Sequence, residues 1–318
     1  QCQLLKDRLE VCEEHILSDC IKCIRYQLSI KSRVMGIYWF LRSKLPVFLI
    51  QALKSIYLAY AHFSFLNQKE EIRQIDLRAI RLRQISSMVD MFLAPSNFLR
   101  NKFINSGIPK NRIVFFPYGI GIKLFTEFNI NRSDKICFAF IGTLLPAKGV
   151  HILIRAFNGI KERNIELKIY GREVSYKGLE YYLKYIKKIG RNKNIHFMGG
   201  YNNEDIAKIF SEIDVLVVPS IWYENSPLSL LDAMGEGLPC LASRIGGNPE
   251  LVEDGANGFL AKPGDVDDWL RALRRFLATS EDVRRKMGLL GREKIEKEHA
   301  WPLHLNRLEA CYRDAGAR

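Results

Sequence analysis

The sequence predicts an α/β protein built on a parallel sheet with helices on both faces. Three observations point there. In the second half of the 318 residues, short apolar runs alternate with helical patterns of about ten residues. The runs are rich in β-formers yet do not alternate apolar with polar, the pattern of strands covered on both sides. Several runs end in glycine just before a helical pattern begins, as when a strand feeds a helix N-terminus.

The expected strands are KICFAFIG (135–142), ELKIYG (166–171), NIHFMGG (194–200), DVLVVPS (214–220) and LPCLAS (238–243). Between them, HILIRAFNGI (151–160) has helical apolar spacing, LEYYLKYIKKIG (179–190) is amphipathic and stops at Gly190, and NEDIAKIFSEI (203–213) precedes the fourth strand. The stretch ENSPLSLLDAMGEGLPC (224–240) reads as a proline-started helix, and NPELVED (248–254) as a short one. Residues 264–279 and 280–316 add C-terminal helices. Asp265-Val266-Asp267 is a D-x-D, but it follows Pro263-Gly264 at a helix start and reads as a cap.

A chain of this length calls for two domains, and 47% hydrophobic residues exclude a disordered one. A net charge of +13 calls for an anionic partner: nucleic acid, a phosphorylated small molecule or an anionic membrane. The chain opens on Gln1-Cys2, with neither an initiator Met nor a secretory signal, and reads as starting inside a larger protein. Seven cysteines, an odd number, argue for a reducing compartment and a cytoplasmic setting.

In a doubly wound sheet, ligands bind beyond the carboxyl ends of the strands. Three loops there suit an anion. IGTLLPAKGV carries Lys148-Gly149 into a helix, and His151 at that helix start could neighbour phosphates. In VVPSIWYENSPLSLL, Ser226 is the expected N-cap and Pro227 the first helical residue, leaving the N–H groups of Leu228 and Ser229 free. In SRIGGNPELV, Gly246-Gly247 would let backbone approach a ligand, with Asn248 as cap and Pro249 next. Glu224 at the mouth of such an anion site would repel phosphate, so it suits hydroxyls. Asp232 lies about two turns along the helix. Two carboxylates around one phosphate site fit a sugar nucleotide; by spacing alone, a solvated Glu224 and a helix-surface Asp232 fit equally.

The stretches FAFIGTLLPAKGVHILIRAF, DVLVVPSIWYE and ENSPLSLLDAMGEGLPCLASRIGGNPELVEDGANGFL resemble the donor domain of family 4 retaining glycosyltransferases, which have the GT-B fold. SMVDMFLAPSNFLRNKFINSGIPKNRIVFFPYGI resembles the end of that family's N-terminal domain and its linker. The resemblance covers roughly 85–315, with its motifs in order. It implies an incomplete N-terminal α/β acceptor domain at 1–120, a Rossmann-like nucleotide-sugar donor domain at 121–296, and a C-terminal helix at 297–318 crossing back to the first domain. The missing acceptor portion would lie before Gln1. The family's paired glutamates, seven residues apart, correspond to Glu224 and Asp232, the second shorter by one methylene. The resemblance puts Glu224 on the donor sugar's hydroxyls, Asp232 on the ribose, and the backbone of Asn225, Ser226, Pro227 and Leu228 against sugar and phosphate. Lys148 would meet the diphosphate between Gly142 and Gly149. Thr143 stands where the family has Arg, and Arg172 would compensate. Uracil or guanine would lie near the backbone of Met198, Gly199 and Gly200.

The implied function is retaining transfer of a hexose-type sugar from a UDP- or GDP-linked donor to a hydroxyl of a glycan or lipid-linked acceptor, in cell-surface polysaccharide or glycolipid synthesis. Glu224 and Lys148 would be the catalytic residues, with no divalent metal required. The alternative is a truncated, non-catalytic nucleotide-sugar-binding protein. A dinucleotide oxidoreductase would need G-x-G-x-x-G after the first strand, which is absent.

Two N-terminal features stand apart. Cys2, Cys12, Cys20 and Cys23 end in a C-x₂-C knuckle and could close a structural zinc or iron–sulfur site; the alternative is four free thiols. From Cys20 to Lys69 there is no acidic residue, but eight Lys/Arg interleave with aromatics such as Trp39 and Phe40. That basic aromatic segment (20–69) suits the inner face of the cell membrane, with peripheral attachment, or else a basic outer face of acceptor-domain helices. No motif that reads nucleic acid is present. Trp301-Pro302 is expected to anchor the last helix.

Overall fold

The computed structural model describes residues 68–121, 135–162, 164–172 and 180–316, with isolated positions 46, 49 and 55. The cysteine cluster at 2–23 and nearly all of the basic aromatic segment lie outside the described residues.

The first described unit is small. Helix α1 (Gln68–Ser87) leads to β1 (Phe92–Ala94), helix α2 (Asn97–Asn105) and β2 (Ile113–Phe115), and β1 and β2 pair in parallel. Ser96 caps α2 by accepting from the Leu99 N–H.

A six-stranded, all-parallel sheet follows. Its elements alternate as β3 (Ile136–Ile141), α3 (Val150–Asn158), β4 (Ile165–Tyr170), α4 (Glu180–Ile189), β5 (Ile195–Gly199), α5 (Ile206–Ser211) and β6 (Val215–Val218). Then come α6 (Leu228–Gly235), β7 (Cys240–Ser243), α7 (Asn248–Leu251), β8 (Gly258–Ala261), α8 (Val266–Leu277), α9 (Glu281–Glu298) and α10 (Trp301–Gly316). The spatial order is β5-β4-β3-β6-β7-β8. The chain winds one way from β3 and the other from β6, so the switch point lies between those two strands.

The strands are apolar throughout because both faces are covered. Phe138 and Phe140 of β3 point into one core with Phe157, Trp269, Leu273 and Phe276, while Ala139 and Ile141 point into the other with Leu230, Leu231, Met234 and Ile295. At the D-x-D, Asp265 accepts from the N–H groups of Asp267 and Asp268, which makes it the cap of α8.

Helices α9 and α10 meet the connection between the two units. Ile120 bridges to Ala300, His299 Nδ1–H donates to the Tyr118 carbonyl, and His304 Nδ1–H donates to the Pro117 carbonyl. Trp301 stacks on His304 with ring centroids 5.4 Å apart. Among the described residues no helix is long and apolar enough to cross a membrane, and no three His, Cys, Asp or Glu side chains are grouped for a metal.

Candidate functional site

The site is built where β3 and β6 end. After β3 the chain runs through Gly142 and Thr143 into a 3₁₀ turn, Pro146–Lys148, and then Gly149 at φ +71° before α3. A Cβ on Gly149 would sit 1.8 Å from the Pro219 carbonyl oxygen, so only glycine lets this loop pack against the one after β6. The Ile221 N–H donates to the Ala147 carbonyl and stitches the same two loops.

This contact brings Lys148 and Glu224 together. Lys148 Nζ lies 2.7 Å from Glu224 Oε1, and the Ser220 hydroxyl donates to the same oxygen at 2.6 Å. The Lys148 side chain is 35% exposed and that of Glu224 13%, so the pair is partly shielded from bulk water. Ser220, fully buried at the end of β6, was not anticipated; its one signal is a hydroxyl residue closing an apolar strand.

Three expectations about the loops need correction. Ser226 does not cap α6: Pro227 takes the cap position with ψ 123°, α6 starts at Leu228, and the buried Ser226 hydroxyl has no hydrogen-bond partner among the described residues. The N–H groups of Leu230 and Leu231 both bond to the Pro227 carbonyl, so those of Leu228 and Ser229 have no intrahelical acceptor. Nor does Asn248 cap α7. Gly247 holds that place, and the fully buried Asn248 turns inward to donate from Nδ2 to the Ser243 carbonyl. Gly246 and Gly247 approach protein backbone, not open space. Added Cβ atoms would lie 2.1 Å from the Glu224 carbonyl oxygen and 1.9 Å from that of Asn225, and the Gly247 N–H donates to Glu224 O at 2.7 Å. His151 also differs: it is buried between α3 and α4 and shares a hydrogen bond with the Tyr182 hydroxyl.

A cavity of about 650 Å³ opens at the ends of β3, β4 and β5, reached from the same loop after β3 that carries Lys148. Gly142, Thr143, Gly171, Arg172, Tyr201 and Asn202 form most of its wall. Arg172 donates to the Tyr201 carbonyl and Asn202 Oδ1. Met198 and Gly199 close β5 just ahead of Tyr201. Burial pushes the Asp232 carboxyl above its ordinary range. Burial also raises the Tyr201 phenol, with the Asp232 charge raising it further and Arg172 lowering it, so these three groups share one electrostatic neighbourhood. Tyr201, like Ser220, was not singled out in the sequence. Asn225 and Leu228 are exposed at the crevice mouth.

A doubly wound parallel sheet with its switch point between β3 and β6 defines a Rossmann-like α/β protein, a fold that matches GT-B glycosyltransferase structures. Residues 123–294 match the family Glycosyl transferases group 1, and the chain belongs to that family. It is 29% identical over 238 residues to an MMP α-(1→4)-mannosyltransferase of Mycolicibacterium hassiacum, covering 74% of this chain and 56% of that protein. It is 31% identical over 199 residues to a UDP-Gal:α-D-GlcNAc-diphosphoundecaprenol α-1,3-galactosyltransferase of Escherichia coli, covering 58% of this chain and 49% of that one. The chain thus spans about half the length of these relatives. In fold it is similar to Anabaena HepE, crystallised with UDP and glucose, with TM-score 0.65 and 20% identity over 74% of this chain and 67% of that one.

Proposed function

We propose that this chain carries the donor site of a family 4 retaining glycosyltransferase, which moves a hexose-type sugar from a UDP- or GDP-linked donor to a hydroxyl of a glycan or lipid-linked acceptor. The observation that carries the reading is the Lys148–Glu224 pair, held where the loops after β3 and β6 meet at the switch point of the sheet. The transferase names of its relatives and the UDP in the HepE crystal support the same class of donor.

The chemistry follows from charge. Lys148 and Glu224 neutralise each other across the crevice. A diphosphate competes for Lys148 and releases Glu224 to accept hydrogen bonds from sugar hydroxyls. The N-terminus of α6 adds two N–H groups that have no acceptor in their own helix, and the positive end of its dipole. Both stabilise the negative charge that develops on the leaving diphosphate. Asp232 serves the ribose, with Tyr201 beside it, and Arg172 supplies the second cation that Thr143 cannot. The nucleobase lies along Met198, Gly199 and Gly200. In this reading residues 1–120 belong to the acceptor side, 121–296 to the donor side, and 297–318 join the two. The basic aromatic segment would hold the protein on the inner face of the membrane, near a lipid-linked acceptor, and the four N-terminal cysteines would hold zinc or an iron–sulfur cluster. Elemental analysis of reduced protein tests the last point: no metal leaves four free thiols.

The experiment for the activity supplies UDP-glucose, UDP-galactose and GDP-mannose with acceptor glycans, and follows the product's anomeric configuration by NMR. Retention, abolished by Glu224→Gln without loss of fold, is expected. An inverted product, or transfer that survives Glu224→Gln, overturns the assignment.

A further inference from the structure

Glu250 lies in the four-residue helix α7, which is too short to need a carboxylate of its own. It reaches a segment about 150 residues earlier in the chain. Glu250 Oε2 accepts from the Asn97 N–H at 2.8 Å and from Asn97 Nδ2 at 3.3 Å, and Oε1 accepts from the Phe98 N–H at 2.7 Å. These are first-turn donors of α2, which have no partner inside their own helix. With Ser96 taking the Leu99 N–H, the remaining first-turn donors of α2 are satisfied by Glu250 of α7.

Docking α2 in this way places a ring. Phe98 stacks on Tyr223 with centroids 5.0 Å apart and planes 25° apart. Lys102 Nζ, one turn further along α2, lies 5.6 Å from the Phe98 ring centroid and 5.3 Å from that of Tyr223. Tyr223 is the residue before Glu224. On the other side, Gly246 and Gly247 press against the Glu224 and Asn225 backbone, and the space over Gly247 is also filled by Ser96. The 223–225 segment is therefore gripped from two sides, and Glu250 joins the two grips.

We propose that Glu250 is a positioning residue for Glu224: its carboxylate latches the N-terminus of α2, and through Phe98 on Tyr223 it fixes where the Glu224 side chain meets a donor sugar. The catalytic consequence rests on the donor-site reading above; the mechanical coupling does not. A sugar held out of line costs rate more than affinity, because misplacement is felt where bonds change. The N-terminal unit then influences Glu224 without touching the donor.

Two measurements decide it. Glu250→Gln keeps the shape but replaces one acceptor by an NH₂ group facing an N–H donor. Amide hydrogen exchange should speed up several-fold at Asn97 and Phe98 and also at Gly247, whose N–H is bonded to Glu224 O, with no change in β3 and β6. Phe98→Leu, which leaves Glu250 intact, should loosen Gly247 in the same way, and Phe98→Tyr should restore it. In turnover, Glu250→Gln should lower kcat about 10-fold and leave the donor KM within about twofold. If Asn97 and Phe98 exchange faster while Gly247 does not, or if KM rises with kcat unchanged, the latch does not position Glu224. If the wild-type chain binds neither UDP nor GDP, the donor-site reading fails, and the exchange data still decide the coupling.

Discussion

Lys148→Ala separates the two roles of the crevice pair. The lysine neutralises Glu224 across 2.7 Å, with side chains 35% and 13% exposed. Exposed pairs contribute about 0.2–1 kcal/mol. Removing one partner of a fully buried pair costs about 3–5 kcal/mol. This pair lies between those cases, and the Ser220 hydroxyl continues to satisfy Glu224 Oε1, so a loss of about 1–2 kcal/mol in stability is expected. On the proposed donor site the same lysine would supply a nucleoside diphosphate with a charge-assisted hydrogen bond worth about 1.5–3 kcal/mol, roughly a 10- to 100-fold weaker Kd when it is gone. Isothermal calorimetry with UDP and GDP, beside thermal melts of the same preparations, measures both. Binding of free sugar should change little. An unaltered Kd for the diphosphate would remove Lys148 from the anion site, and a large drop in Tm with unaltered binding would make the pair purely structural.

Other expectations follow from the same geometry. Gly149→Ala forces a left-handed backbone that costs about 1–2 kcal/mol and sets a methyl 1.8 Å from the Pro219 oxygen. Melting temperature and diphosphate affinity should fall together, and a neutral effect on both would refute the loop packing. Asp232 has a folded-state pKa raised by burial, so it contributes stability that is present below the unfolded carboxylate pKa and lost as pH rises through the folded value. At neutral pH, Asp232→Asn should therefore raise the denaturation midpoint while weakening nucleotide binding; lower stability at pH 7 would contradict the burial argument. His299 is shifted the other way, its pKa lowered by burial above all. The unfolded chain takes up the proton first, so stability should fall as pH drops below about 6.5. His299→Gln should flatten that slope in denaturation curves recorded from pH 7 to 5.

Much of the sheet was legible because its strands are buried on both faces. A run such as Val215–Val218 has no polar position to confuse it with a surface helix. The exception is β8, whose four residues open on glycine and follow a polar turn, too short a signal to stand out. The helix starts were misplaced by one residue for a common reason. Before Pro227 and Pro249, a Ser and an Asn look like caps from their side chains. In the fold Pro227 keeps an extended ψ and takes the cap place itself, and Asn248 is drawn inward by the Ser243 carbonyl. His151 reads as a possible neighbour of phosphates because it follows Lys148-Gly149, yet seven of the nine residues of α3 are buried, and no polar stripe marks an exposed side. Glu224 and Lys148 were each marked by their own loops. Their contact spans 76 residues, and only the winding of the sheet brings them together. The Glu250 contact with α2 had no local trace at all, since a glutamate in a short helix normally faces water.

The central claim is that the β3/β6 crevice holds a nucleoside diphosphate through Lys148 and the start of α6. The most direct measurement is calorimetric titration of the wild-type chain with UDP against UMP, and GDP against GMP. One diphosphate should bind at least about tenfold more tightly than its monophosphate, the increment of one charge-assisted contact to the second phosphate. Equal affinity within a pair that binds, or no binding of either diphosphate, would contradict the account.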